Sequence, residues 1–501
     1  MTNDYQEKTT LYSETHRPQF HFSPKEKWLN DPNGMVYFEG EYHLFFQYHP
    51  HGTTWGPMHW GHAVSRDLIH WEELPVALYP DEHGAIFSGS AVVDWKNTSG
   101  FFEEGNGGLV AIYTNADTYP DSDRPRQRQS LAFSRDKGRT WETYKGNPVL
   151  SDEDITDYRD PKVFWHEESE RWVMVLATGQ TITIYTSPNL IDWEFASEFG
   201  QGEGAHTGVW ECPDLFPLMV DGNPDHVRWV MLVSIGDNPH HKEGSRTQYF
   251  VGDFDGKTFI NSYDGDTIFW LDHGRDNYAG VSWSDIPEKD GRRIYLGWMN
   301  NWRYANHVPT ESWRGAMTLP RELNLISTAE GIQLLQKPVS EINEIRKEPQ
   351  IFKVIGLTEK GYSIDVNHEL VEVNLSVTFE DAQEFELVIN HSTDELTSVN
   401  YNRFTGMLSV DRTQSGKSGF SDSFSGISEV SVDLLDDTLI LQLFLDASSL
   451  EVFAQGGRKA LTNLIFPKQT KCTLSLSALG GGAMVEEISI TKLSSIWGKG
   501  V

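Results

Sequence analysis

Three acidic residues stand in matching surroundings: Asp31 in NDPNG, Asp160 in YRDPKVFW and Glu211 in VWECPDLFPL. Each is followed by proline, at once or one residue later, and each precedes an apolar run that reads as a strand. Carboxylates gathered in one pocket repel, and their proton affinities are driven apart. That separation is what acid and nucleophile chemistry on a glycosidic bond requires. Residues so distant in sequence meet only if the fold returns each of them to a common place. The first cluster also has a plainer reading. Asn30, Asp31, Pro32, Asn33 and Gly34 all favour turns, and read as an ordinary loop ahead of a hairpin that carries Tyr37, Tyr42, Leu44 and Phe46 and turns at Glu39-Gly40-Glu41.

The elements that would position the carboxylates are short strands. Helical periodicity is scarce, and aromatic or β-branched runs separated by Gly, Asp, Asn and Pro recur from His21 to about Ile326. Within that span a unit repeats, a strand ending in Ser, then a turn, then Trp: SRDLIHW from Ser65, SRDKGRTW from Ser134, SPNLIDW from Ser187, and a looser FDGKTF from Phe254. Copies roughly 50–70 residues apart fit blades of four short strands in a β-propeller, whose first strands converge on the axis. The Asp or Asn of each copy would satisfy turn amides and the Trp would pack between sheets, so the repeat is read as scaffold. Beyond Pro338 the strands lengthen and alternate regularly, as in a β-sandwich. The expected division is an N-terminal extension over 1–20, a propeller over 21–337, a linker over 338–348 and a sandwich over 349–501.

With 501 residues, more than one domain is expected. The formal charge of −32 speaks against nucleic acid and anionic membrane as partners and is compatible with a neutral substrate. It also keeps a chain soluble in concentrated salt. Cys212 and Cys472 are the only cysteines, far apart, so no disulfide framework is implied. The start, MTNDYQEKTTLYSETHRP, has no apolar core of signal-peptide length, which makes the cytoplasm the default and secretion the alternative if a leader was removed.

WLNDPNG, FSGSAVV, YRDPKVFW, WECPDLF and LGWMNNW, together with ASSLEVFAQGG near the C-terminus, resemble the ordered motif set of glycoside hydrolase family 32, the invertases, exo-inulinases and levanases. The resemblance covers nearly the whole chain. It implies an all-β protein with a five-bladed propeller followed by a C-terminal β-sandwich, no cofactor, and retaining hydrolysis of terminal β-fructofuranosides, sucrose first and inulin or levan oligomers as alternatives. By motif Asp31 matches the nucleophile, Glu211 the general acid/base and Asp160 the residue that steadies the transition state. The local residues agree: the amides of Asn33 and Gly34 suit an ionised Asp31, and Val209, Trp210, Cys212 and Pro213 suit a protonated Glu211. The family pattern also carries Asn30, Gln47, Ser88 and Arg159 as hydrogen-bonding partners. Trp55, Phe87 and Trp298 match the aromatic wall of the sugar pocket, with Trp302 or Trp313 as replacements for Trp298. Asp214 tilts the substrate toward sucrose by likeness to plant invertases, whereas HLFFQYHPHGTTWG and the segment around LGWMNNW look more like exo-inulinases and levanases.

His49, His51, His59 and His62 read as hydrogen-bonded structural histidines rather than zinc ligands, and no metal is expected. Cys212 reads as a buried neutral thiol beside the acid/base. Arg124, Arg126 and Arg128 read either as a site for a phosphorylated sugar, such as sucrose 6-phosphate, or as a solvated loop balanced by Asp121 and Asp123, the second being preferred. The competing class is a non-catalytic sugar-binding lectin, which would have lost one carboxylate. A sialidase-like reading lacks an arginine triad. The sandwich is expected to be structural, or to form a homodimer.

Overall fold

The computed structural model describes residues 12–498 apart from residues 104, 367 and 470. Five four-stranded antiparallel blades surround an axis. Their innermost strands are Lys27–Phe38, Ala85–Val93, Tyr158–His166, Trp210–Val220 and Tyr278–Ser282, and each packs on the next around a ring. The ring closes where blade one meets blade five. There Tyr37 N donates to Ser284 O at 2.9 Å and Ser284 N donates to Met35 O at 2.9 Å. Trp313–Arg314 also pairs in parallel with Lys27 and Trp28.

The hairpin of blade one forms as expected, with Phe38 opposite Glu41 and a turn at Glu39 and Gly40, whose φ values of 46° and 92° suit a tight primed turn. The polar cluster departs from expectation. Asn30 to Gly34 are not a loop ahead of the strand but lie inside it, in a stretch of irregular register. The Ser-turn-Trp repeat joins the third strand of a blade to its outermost one. Asp67 Oδ1 accepts from the amides of Ile69 at 3.0 Å and His70 at 2.8 Å. Asn189 Oδ1 does the same for Ile191 at 3.0 Å and Asp192 at 2.9 Å. The indole N–H groups of Trp71, Trp141 and Trp193 each close the same turn on a backbone carbonyl.

After a short 3-10 helix at Ser340–Ile345 the chain builds two six-stranded sheets packed face to face. Their inward residues, among them Leu375, Leu387, Val399, Leu441, Leu474 and Ile488, form one buried core. Alternation of apolar and polar residues is what fills such a sandwich. The two domains share a second core, in which Phe444, Phe453 and Ala460 of the sandwich pack with Trp28, Phe46 and Trp298 of the propeller.

Buried charge pins the same boundary. Arg321 donates to Asp272 at 2.9 Å and to Glu451 at 2.5 Å, His21 bridges Asp446 and Glu451 at 2.8 Å each, and Arg412 reaches Asp276 at 2.5 Å. Of the expected N-terminal extension, residues 1–11 lie outside the described residues. Residues 12–20 lie against this boundary: Tyr12 stacks on Trp497 at 4.0 Å, and Gln19 N donates to Asp446 at 2.8 Å. Among the described residues no helix is long and apolar enough to cross a membrane.

Candidate active site

Every innermost strand carries a bulge near its start. Register breaks fall between Leu29 and Pro32, Ile86 and Gly89, Arg159 and Lys162, Glu211 and Asp214, and Tyr278 and Val281. A bulge inserts residues that oppose nothing on the neighbouring strand and re-aims their side chains. Asn30 and Asp31, Phe87 and Ser88, and Asp160 lie in these breaks, and Glu211 borders one. The prolines explain the placement. Pro32, Pro161 and Pro213 have no N–H to donate to a ladder, so each is tolerated where pairing is already broken. The left-handed backbone at Asp160 (φ 63°), Cys212 (φ 47°) and Ala279 (φ 53°) marks the same level on three blades.

The bulges bring the carboxylates together. Asp31 accepts from Asn30 Nδ2 and Ser88 Oγ, both at 3.0 Å, and Asn30 is itself fixed by Trp28 Nε1 at 2.7 Å. Its side-chain donors are therefore Asn30 and Ser88, not the amides of Asn33 and Gly34. Asp160 accepts from the Cys212 amide at 3.0 Å, and the Cys212 sulfur lies 3.7 Å from Asp31 Oδ2 and 3.6 Å from Asp160 Oδ2. Arg159 donates to Glu211 Oε1 at 2.9 Å and to Asp157 at 2.5 Å, and its Nε is 3.9 Å from Asp160. The Tyr278 hydroxyl donates to Glu211 Oε2. Glu211 thus sits between a guanidinium and a phenol, not in the apolar pocket its sequence neighbours suggest. Of those neighbours, Trp210 turns into the core, and Cys212 is buried between Asp31 and Asp160.

Charge is crowded here. Burial, then the charge of Glu211, lifts Asp31 to about 6 against the hydrogen bonds from Asn30 and Ser88. Burial lifts Asp160 to about 7, with Arg159 opposing and the charges of Glu211 and Asp31 adding. Burial would weaken the Arg159 cation, but Glu211, Asp160 and Asp157 hold it above its ordinary value. The Cys212 thiol is pushed well up, first by burial and then by the surrounding carboxylates, so it is neutral.

Around the carboxylates, Trp55 is 48 % exposed and meets Phe87 edge-on at 6.2 Å. Both line a cavity of about 590 Å³, together with Asp117 and Gln127. Gln47 is buried opposite Trp60, and its Nε2 has no hydrogen-bond partner among the described residues. Trp298 departs from expectation: it has no exposed surface, because Trp28 and Trp302 pack on it at 6.1 and 4.8 Å. Trp302, stacked on Trp28 at 6.0 Å, is the ring left half-buried, whereas Trp313 is buried beneath the Arg17 guanidinium.

Asp214 is also misplaced by sequence reasoning. It is fully buried, accepts from the amide and hydroxyl of Ser282 at 2.6 and 2.7 Å, and lies 3.5 Å from Lys162 Nζ. On the strand it follows the bulge, and it lines a cavity at the other end of the axis. Arg126 and Arg128 are bound to Asp117 at 2.5 and 3.0 Å, and Arg124 donates to the Glu153 carbonyl; the balancing acid is Asp117 rather than Asp121 or Asp123. Among the histidines, His49 and His59 donate to backbone carbonyls at 2.8 and 3.0 Å, and His62 bonds His43 at 3.0 Å.

Two site residues escaped the sequence reading. Tyr278, in NYAGVSW, has no motif to mark it; only the requirement that the fifth blade also present a bulge would have pointed there. Thr114, on the second strand of blade two, anchors the Asp160 amide at 3.0 Å and is held in turn by Gln129 at 2.7 Å.

Comparison with known proteins places these features. Residues 21–338 match the Glycosyl hydrolases family 32 N-terminal domain, and residues 341–492 match the Glycosyl hydrolases family 32 C terminal. A levanase of Bacillus subtilis (strain 168) is 49% identical over 496 residues, covering 98% of this chain and 72% of that protein. The crystal structure of an exo-inulinase from Aspergillus awamori superimposes with a TM-score of 0.88 at 37% identity, over 97% of this chain and 100% of that one. A β-fructofuranosidase from Schwanniomyces occidentalis, complexed with fructosyl-erythritol, gives 0.87 at 33% identity over 97% and 99%.

Proposed function

The chain belongs to glycoside hydrolase family 32, and from that premise we propose that it removes terminal fructose from β-fructofuranosides by a double displacement. The observation that carries this reading is the set of three carboxylates delivered by bulges on three separate blades and linked through Cys212 and Arg159. Asp31 attacks the anomeric carbon of the fructosyl unit while Glu211 gives its proton to the departing glycosidic oxygen. The carbon–oxygen bond to the leaving sugar breaks as the bond to Asp31 forms. Glu211, now ionised, takes a proton from water, which displaces Asp31 and frees fructose. Asp160 supplies negative charge beside the oxocarbenium-like carbon. The buried, unpaired amide of Gln47 suits a sugar hydroxyl, since an unmatched donor there is otherwise costly.

The cavity at Trp55 and Phe87 gives the leaving group room beyond one sugar ring, which supports fructan chains of the levan or inulin type as substrates alongside sucrose. The tilt toward sucrose drawn from Asp214 falls with the burial of that residue. The pairing of Arg126 and Arg128 with Asp117 favours an unphosphorylated substrate. A homodimer through the sandwich is supported by the edge strand Gln350–Leu357, where Ile351 and Val354 are 50% and 70% exposed. Sedimentation of the purified chain tests it.

For the enzyme itself, rates on sucrose, sucrose 6-phosphate, inulin and levan should show fructose release from all but the phosphorylated sugar. A Glu211→Gln variant fed a substrate with a good leaving group should gain the mass of one anhydrohexose on Asp31. Label on any other residue would end the assignment of the nucleophile.

A further inference from the structure

The propeller axis has a second mouth. The innermost strands begin at the carboxylates, and their later residues surround a cavity of about 950 Å³ at the opposite end. Its wall carries indole rings. Trp95 is 60% exposed yet fixed, for its N–H donates to Asp285 at 3.0 Å and its ring rests on Phe38 at 5.5 Å. Trp229, half-buried, is braced by Phe254 at 5.0 Å, and Trp165 by Trp172 at 5.2 Å. An exposed ring held in one orientation is a stacking platform that loses little freedom when a ligand covers it.

The floor is polar, with its charged groups paired. Lys162 donates to the Ser282 carbonyl and faces Asp214 at 3.5 Å, and Arg293 donates through Nη1 to the Trp283 carbonyl at 3.2 Å. The Arg293 guanidinium also lies over the Phe216 ring at 4.9 Å. Asp285 accepts from the Val93 amide at 3.0 Å as well as from Trp95. Around that floor the lining adds Glu39, Glu167, Glu168 and Glu288 against Lys96 alone, so the mouth as a whole is acidic and repels an anion. Indole faces above hydrogen-bonding groups suit a neutral polyhydroxylated ligand, and the volume lies within the range of small-molecule sites, roughly 300–1,000 Å³.

We propose that this far mouth is a second, non-catalytic saccharide site, which holds a neutral fructosyl oligosaccharide while the opposite mouth cuts chain ends. The choice of a fructosyl sugar rests on the function proposed above; the rings and the floor do not. Asp214 thereby gains a role as the counter-charge that sets Lys162 under the site.

Calorimetric titration of the Asp31→Asn chain with an inulin-type tetrasaccharide should find two molecules per chain, and adding Trp95→Ala and Trp229→Ala should leave one. Equal stoichiometry in the two chains overturns the proposal. In the active enzyme, Trp95→Ala alone should leave sucrose turnover unchanged and raise the half-saturating inulin concentration about three- to tenfold, the loss of one stacked ring. Being at an exposed ring, it keeps the test decisive should the double variant fail to fold, and an unchanged inulin value counts against the site. If the unaltered chain releases no fructose from sucrose, inulin or levan, the enzymatic reading fails, while the stoichiometry still judges the far mouth by itself.

Discussion

Two clusters of buried carboxylates in this protein have opposite fates. At the boundary between propeller and sandwich, Asp272 and Glu451 are held below their ordinary values: burial works against them, but Arg321 outweighs it. There His21 is lifted to about 9, since burial is outweighed by the hydrogen bonds that its ring N–H groups donate to Asp446 and Glu451. At the top of the propeller, burial and then the charge of Glu211 push Asp31 up to about 6, and burial pushes Asp160 up to about 7 with the Arg159 cation opposing it. The residue types are the same and the surroundings are similarly dry. What differs is the matching of donors to acceptors: Asp272 accepts from Arg321, Asn277 and both the amide and hydroxyl of Thr462, whereas Asp31 accepts side-chain bonds from two neutral groups. One cluster fastens domains together, and in the mechanism proposed above the other holds charge to be relieved by an electron-poor sugar carbon.

The largest expected effect separates the clusters by activity. Asp31→Asn should lower turnover by about 10⁴-fold or more, since it removes the proposed nucleophile. Arg321→Met should leave turnover per folded molecule within about twofold of the parent but destabilise the chain by roughly 3–5 kcal/mol, by stranding Asp272 and Glu451 without their cation. Parallel rate and denaturant-midpoint measurements on both variants check the contrast. A catalytically dead Arg321→Met that remains folded would break it.

The next effect is smaller and carries a sign. Because Asp31 binds its proton more tightly folded than unfolded, stability falls as pH rises from about 4 to about 6 and stays reduced above. Asp31→Asn should therefore be more stable than the parent at pH 7, by on the order of 2–3 kcal/mol, with the difference vanishing near pH 4. The boundary cluster behaves oppositely. The share due to Glu451 and Asp272 is present above the usual carboxylate range and lost on acidification, and the share due to His21 is complete below about 6.5 and lost as pH rises through about 9. Activity follows the first group: kcat/KM should fall as pH drops through about 6, when Asp31 takes up its proton. Thermal midpoints across pH 4–10 sharpen the comparison, and an Asp31→Asn curve parallel to the parent's would undo it.

The difference between the clusters also marks what was legible in the sequence. The convergence of the three acids was readable because each stands one or two residues before a proline in a strand context, which is the local mark of a bulge. The blade repeat was readable because Ser, Asp and Trp close one turn by short-range bonds. The boundary network left no such mark. His21, Asp272, Arg321 and Glu451 are joined across as many as 430 residues, and nothing local distinguishes them from surface charges. Asp214 and Trp298 failed for a related reason: a motif fixes which residues are near in sequence, but strand alternation and bulge position decide which end of the axis or which depth each reaches.

Cys212 lies where a small effect tests the reading of the crowded cluster most finely. Its sulfur touches Asp31 and Asp160 at once, and burial keeps it a thiol. A thiol is a weak donor, so its loss removes little hydrogen-bond energy, but it also fills the space between two acids. Cys212→Ala should therefore keep most of the turnover, falling less than about tenfold. Its acid limb should move to higher pH, because a water-free gap with one donor fewer favours the protonated Asp31. Cys212→Ser, with a stronger donor in the same place, should move the limb the other way. A nucleophilic cysteine would instead lose activity in both variants, so pH profiles of the pair distinguish a space-filling donor from a reacting group.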